Sequence, residues 1–258
     1  MLAHARAGSG PRALVLLHGF LGAARNVATL ARELAARDSE LSVVSLDLTG
    51  HGDSPPLPAD ADTATLAGDV LTTVRGLELA EPVAVAGHSL GGRVALRAAL
   101  LEPAALSSIT LLDIAPGPMH DVTVASVAEV LRQAPETVAT RGQARAYLVG
   151  KGIAPPIAEW LTLNLVPADG GYRWRVDREA LARLHARVAA EDLWLAVEGR
   201  RAYGVRCVRA GASPYVGEAD ARRLEAAGCA VVTIPDTDHF LHAARPRETA
   251  DAILPGLR

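Results

Sequence analysis

The stretch Gly87-His88-Ser89-Leu90-Gly91-Gly92 constrains this chain more than any other. An apolar run, Val83-Ala84-Val85-Ala86, precedes it, and a helix-forming segment from Arg93 to Leu101 follows. A buried strand, a tight turn centred on serine and then a helix form the context that a G-x-S-x-G motif requires. A serine on so sharp a turn sits in strained backbone, so the positions two before and two after it must lack side chains. Gly87 and Gly91 meet that need, and Gly92 allows the new helix to pack closely on the strand. The Leu90 N–H, at the helix start, is then aimed where an oxyanion can sit.

Around this stretch the chain alternates strands and helices. Ala13–Leu17 is a continuous apolar run, as expected of a strand buried on both faces, and Leu41–Leu46, Val83–Ala86, Ser107–Leu112, Val205–Ala210 and Ala230–Ile234 read as further, mainly apolar strands. Helical spacing fills 26–37, 63–79 (with Thr63 as the expected N-cap), 93–101, 217–227 and 247–254. Residues 2–7 carry a weak pattern of an edge strand. Strands and helices at this spacing imply right-handed crossovers and a mainly parallel central sheet flanked by helices, an α/β fold.

Between 117 and 203 the alternation stops. No buried-strand run appears there, whereas helical patterns cover 122–134, 143–148, 157–163 and 178–189. Six of the nine aromatic residues of the chain fall in this stretch: Tyr147, Trp160, Tyr172, Trp174, Trp194 and Tyr203. A mostly helical insertion with this aromatic share reads as a cap, 117–203, over a core made of 1–116 and 204–258.

Bulk properties narrow the function classes. Hydrophobic residues make up 50% of the 258 and charged residues 21%, with a net charge of −3, so neither disorder nor a basic footprint for nucleic acid is indicated. No apolar run reaches the length of a membrane span, and residues 1–10 lack the apolar core of a secretory signal. Cys207 and Cys229 lie in strand-like runs and show no metal spacing, which fits reduced thiols and a cytoplasmic location. No cluster suggests a metal, and no glycine pattern suggests a nucleotide.

A serine hydroxyl needs an adjacent base, and the base needs an orienting carboxylate. Of the eight histidines, only His239 and His242 follow the last strand. His239 would leave the same sheet edge as Ser89 and is the base candidate, with His242 packing behind it. The carboxylate is more open. The loop after Ala210, Gly211-Ala212-Ser213-Pro214-Tyr215-Val216, holds no acid before Glu218 and Asp220, both placed to begin a helix. Asp113 ends the strand directly after the nucleophile unit and leads, with Asp220, Asp236 and Asp238 behind it. The loop His18-Gly19-Phe20-Leu21-Gly22 supplies the second oxyanion donor, with the Phe20 N–H pairing the Leu90 N–H. His18 and His51 read as loop-stabilising residues. Leu21, His88, Trp160, Trp174 and Phe240 are expected to line the substrate site.

With these residues in order, the chain resembles the α/β-hydrolase fold proteins over almost its whole length. The resemblance rests on HGFLG at 18–22, DLTGHGDS at 47–54, GHSLGG at 87–92 and DHFLH at 238–242. More narrowly, Leu112-Asp113-Ile114-Ala115-Pro116 and the Arg209–Val216 loop resemble small acyl-esterases of the YbfF type and their mitochondrial relatives. In that group the acid follows the sixth strand, which implies Asp113, and the later loop carries Ser and Tyr. Pro214, Phe240 and Ala244 depart from the group's usual residues and bear on substrate identity. The resemblance implies a serine hydrolase acting on small-to-medium acyl esters or thioesters, without cofactor. HGFLG with Gly91-Gly92-Arg93 is also similar to menaquinone-pathway synthases that eliminate pyruvate, although His88 stands where those carry Tyr. C–C bond hydrolysis on the same fold and a catalytically silent small-molecule receptor stay open at this level.

Overall fold

The structure is a computed structural model that describes residues 1–119, 122–199 and 201–257. In chain order the first half contributes β1 (His4–Ala7), β2 (Arg12–Leu17), α1 (Ala28–Arg37), β3 (Leu41–Leu46), α2 (Thr63–Gly76), β4 (Val83–His88), α3 (Leu90–Leu101) and β5 (Leu106–Leu112). The chain then forms α4 (Val122–Arg132), β6 (Thr137–Val138), α5 (Arg141–Gly150), α6 (Pro155–Leu161), β7 (Leu165–Ala168), β8 (Gly171–Trp174), α7 (Arg178–Ala190) and α8 (Leu195–Glu198). It returns through β9 (Gly204–Ala210), α9 (Glu218–Ala226), β10 (Ala230–Ile234), α10 (Leu241–Ala244) and α11 (Pro246–Ile253).

Seven strands form one sheet in the order β1-β3-β2-β4-β5-β9-β10, parallel throughout except for the antiparallel edge strand β1. Side-chain alternation divides the core between the two faces. Leu14, Leu16, Val43 and Ala86 pack with Leu30, Leu34, Ala250 and Ile253 of α1 and α11. Val15, Leu17, Val44 and Val85 pack with Leu66, Val70, Val94 and Leu96 of α2 and α3. Each fully buried leucine contributes about 2 kcal/mol relative to exposure, which explains why β2–β4 tolerate no polar face.

The register decides what the sheet can hold. Leu17 pairs Gly87, His88 pairs Leu112, Leu112 pairs Val208, and Ala210 pairs Ile234. The strands therefore end together, and the residues that follow them (His18, Ser89, Asp113, Gly211 and Pro235) emerge on one edge. That edge, at the C-terminal ends of parallel strands, is where ligands bind in open α/β sheets.

Some local expectations shift. Asp62 is the N-cap of α2, accepting from the Thr65 N–H at 2.8 Å, whereas Thr63 is buried and its hydroxyl donates to the Glu191 carboxylate. The stretch between β5 and β9 is not purely helical, since β6, β8 and β7 form a small antiparallel sheet. Its hairpin turns at Asp169-Gly170, a dipeptide suited to such turns, and Gly170 has φ 75°. These strands are short and half-exposed, so they lack the apolar run by which the central strands are read. Of this stretch, residues 120, 121 and 200 lie outside the described residues. Its two ends are joined by backbone bonds, Met119 N–H to Ala189 O and Leu193 N–H to Pro116 O. The buried Arg93 guanidinium of α3 donates to the carbonyls of Ala115 (3.2 Å), Gly117 (2.7 Å) and Glu191 (2.6 Å).

Candidate active site

β4 runs two residues further than its apolar core, through Gly87 and His88, and α3 begins at Leu90, so Ser89 alone makes the turn. Its φ of 50° and ψ of −115° are unfavourable for a residue with a side chain. Packing and hydrogen bonds hold it there: the Ser89 N–H donates to Leu112 O at 3.1 Å, and its carbonyl accepts from the Gly92 N–H at 2.9 Å. A methyl group at Gly91 would lie 2.7 Å from Leu17 Cβ, and one at Gly87 would overlap the Gly91 backbone. Both glycines are steric requirements of the turn.

One strand over, Asp113 also adopts a left-handed φ, 52°, and is fully buried. Its Oδ1 accepts from the Ala210 N–H at 2.9 Å; its Oδ2 accepts from Ser213 Oγ at 2.5 Å and His239 Nδ1 at 2.8 Å. A carboxylate in this setting can only accept, so the proton of His239 sits on Nδ1 and leaves Nε2 as the basic nitrogen. The imidazole is stacked on Tyr215, with centroids 3.8 Å apart and planes at 17°, and lies 4.5 Å from the His88 ring. His88 Nε2 donates to the His239 carbonyl at 2.8 Å. Asp220 begins α9, and the Asp238 carboxylate accepts from the Phe240 N–H.

Hydrogen bonds fix His18 and His51 in neutral tautomers. His18 donates from Nδ1 to Gly19 O at 2.8 Å and accepts from the Leu48 N–H at Nε2. His51 donates to Thr49 O and accepts from the Leu21 N–H. Burial pushes His18 down to about 3, His51 to about 4 and His242 to about 3. The same cause holds His88 well below the ordinary imidazole value. These rings brace loops and carry no charge near neutrality.

The His18–Gly22 loop lies against the serine: a methyl at Gly19 would come 3.3 Å from Ser89 Cβ and 2.6 Å from His88 Nδ1. Among the described residues, neither the Phe20 nor the Leu90 N–H donates to a protein acceptor. Phe20 packs against His51 and against His185 of α7. Trp160 of α6 reaches Phe240 at 5.6 Å, and Phe240 in turn lies 5.6 Å from His239 and 6.0 Å from His88. His88, Trp160 and Phe240 thus gather beside the histidine loop, whereas Leu21 sits in the His18–Gly22 loop, its backbone held by His51 and Asn164. Trp174 is placed differently, buried in β8 with its indole N–H donating to Pro135 O at 3.0 Å. The sequence assigns no role to Ser213 or Asn164. The acid-free loop after Ala210 is a signal for Ser213, but no sequence signal marks Asn164.

Comparison with known proteins bears on the fold and the family. The chain is 28% identical to the sn-1-specific diacylglycerol lipase ABHD11 of Mus musculus over 256 residues, covering 93% of this chain and 79% of the relative. It is 24% identical to the esterase YbfF of Escherichia coli (strain K12), covering 95% and 91%. Among solved structures, a marine microorganism esterase superposes with a TM-score of 0.88 at 23% identity, covering 99% of both chains. The model of the alpha/beta hydrolase family matches residues 14–252, nearly the whole sheet and its flanking helices, and the chain belongs to that family.

Proposed function

We propose that this protein is a serine hydrolase that cleaves small-to-medium acyl esters or thioesters through an acyl-enzyme. Ser89 attacks the acyl carbonyl while His239 Nε2 takes its proton, and Asp113 holds the imidazole tautomer and stabilises the imidazolium. The Phe20 and Leu90 amides receive the oxyanion, a contribution of roughly 3–4 kcal/mol per donor in acyl transfer. His239 then protonates the leaving alcohol or thiol, and water, activated by the same base, releases the acid. No step calls for a cofactor. Residues 117–203 act as a cap over the core of 1–116 and 204–258, presenting Trp160 to Phe240.

The bond between His239 Nδ1 and the buried Asp113 carboxylate, on the edge that carries Ser89, supports this reading most. A fluorophosphonate probe and a panel of p-nitrophenyl esters and acyl thioesters test it. The expected result is labelling at Ser89 and turnover of short and medium chains, both lost in Ser89→Ala. A folded protein left unlabelled at Ser89 would refute the reading and favour a receptor.

A further inference from the structure

Leu21 is a bulky residue at φ 60°, in backbone territory that favours glycine. Side chains hold both of its backbone groups. Its N–H donates to His51 Nε2 at 3.2 Å, and its carbonyl accepts from Asn164 Nδ2 at 2.9 Å. His51 belongs to the loop after β3, whereas Asn164 lies in the turn between α6 and β7. Asn164 is only 3% exposed, and its Oδ1 has no partner among the described residues, so its amide is committed to Leu21 alone. A neighbouring contact ties the same two segments, Arg25 Nη2 to Leu163 O at 2.8 Å. The turn is held from its own side by Arg141, which donates to the carbonyls of Thr162 and Leu165, and by the Arg175 N–H on Asn164 O at 2.7 Å.

We propose that Asn164 is a positioning residue that lets the cap complete the oxyanion site; this rests on the reading of Phe20 and Leu90 as oxyanion donors. The Leu21 carbonyl is buried, and without the Asn164 amide it has no donor. The loop's relief is to rotate Leu21 out of the left-handed region, which turns the peptides on either side of it, opens the Gly22 N–H to Gly19 O turn and so shifts Phe20 with its N–H. A donor displaced by about 1 Å loses much of its hold on a developing charge. Seating of the 155–165 segment and readiness of the serine site are therefore coupled, and the Asn164 amide is the contact that reaches Leu21 itself.

The test is Asn164→Leu, similar in size and without a donor, compared with wild type in three measurements. Ester kinetics should show kcat down about tenfold with KM within about twofold, because the acyl contacts are retained. Fluorophosphonate labelling should slow by a similar factor. Amide hydrogen exchange should accelerate in residues 18–23 while the β2–β5 strands keep their protection. An unchanged kcat with unchanged exchange in 18–23 overturns the proposal, as does loss of protection spread over the whole 137–174 region. A wild-type protein that neither hydrolyses nor labels would remove the serine-hydrolase reading. Exchange in 18–23 still decides separately whether Asn164 holds the loop.

Discussion

Replacing Asp113 by asparagine changes one heavy atom of a side chain that never reaches solvent, yet the structure predicts a large kinetic effect. The native carboxylate accepts three hydrogen bonds: from the Ala210 N–H at Oδ1, and from Ser213 Oγ and His239 Nδ1 at Oδ2. A carboxamide has one acceptor oxygen. The Ala210 N–H belongs to β9 and cannot reverse, so the oxygen must take the Oδ1 place and the NH2 group the Oδ2 place. Ser213 can turn its hydroxyl to accept. His239 can accept only by moving its proton to Nε2, which removes the free ring nitrogen that the proposed mechanism uses as base. A wrong tautomer of this kind costs about 10⁴ in kcat, or about 5.5 kcal/mol at 1.36 kcal/mol per decade. KM should stay within about threefold, because Asp113 is shielded from substrate. Stopped-flow or steady-state turnover of a p-nitrophenyl ester reads the effect, with Asp220→Asn as the comparison and an expected loss of less than about twofold. A loss below tenfold in Asp113→Asn, or a large loss in Asp220→Asn, would refute the assignment.

Acid stability follows from the buried histidines. His18, His51 and His242 are neutral when folded, at about 3, 4 and 3, and regain an ordinary value near 6.5 when unfolded. The unfolded state binds more protons below pH 6.5, so their contribution is complete above that pH and is lost progressively as pH falls towards 3. Between pH 7.5 and 5 the three together remove on the order of 6 kcal/mol, and urea melts of His242→Leu should show about 2 kcal/mol less of this loss; a flat pH profile would contradict it. Gly87→Ala should prevent folding or cost several kcal/mol, since the methyl meets backbone. Gly68→Ala in α2, where nothing lies within 4 Å, should raise stability by about 0.5–1 kcal/mol in thermal melts. Trp160→Ala should shift acyl-chain preference with little change in Tm. Trp174→Ala should cost about 3–5 kcal/mol in a chain-length-independent way, because that ring is buried in the core of the 117–203 stretch.

The sheet was legible because its central strands β2 to β5 are almost wholly buried and therefore mainly apolar; every strand-like run became a strand within two residues. The serine turn was legible because steric need leaves glycine as the only solution at 87 and 91. The β6-β8-β7 sheet was not, since strands of two to four half-exposed residues carry no periodicity that outweighs a helical background. Tertiary partners were illegible for a related reason. Nothing in the sequence around Asn164 or Trp174 says whether an amide or indole will turn towards the loop of residues 18–22 or towards its own segment. That choice depends on how α6 and β8 sit, which is set by side chains far along the chain.

The position of the acid shows how one edge of the sheet can satisfy the same chemistry in two ways. β5 lies between β4 and β9, so a carboxylate after either β5 or β9 is within a strand or two of a histidine that follows β10. Whichever loop supplies the charge, its buried oxygens need donors, and the neighbouring loop is placed to provide them. On the proposed reading Asp113 supplies the charge from β5, while Ala210 and Ser213 supply an N–H and a hydroxyl from β9 and the loop after it. A second carboxylate in place of Ser213 would set two like charges on one imidazole and raise the pKa of one of them, weakening its hold on the Nδ1 proton. The absence of an acid in Gly211–Val216 is thus a condition for the acid at 113, and the two observations are one constraint.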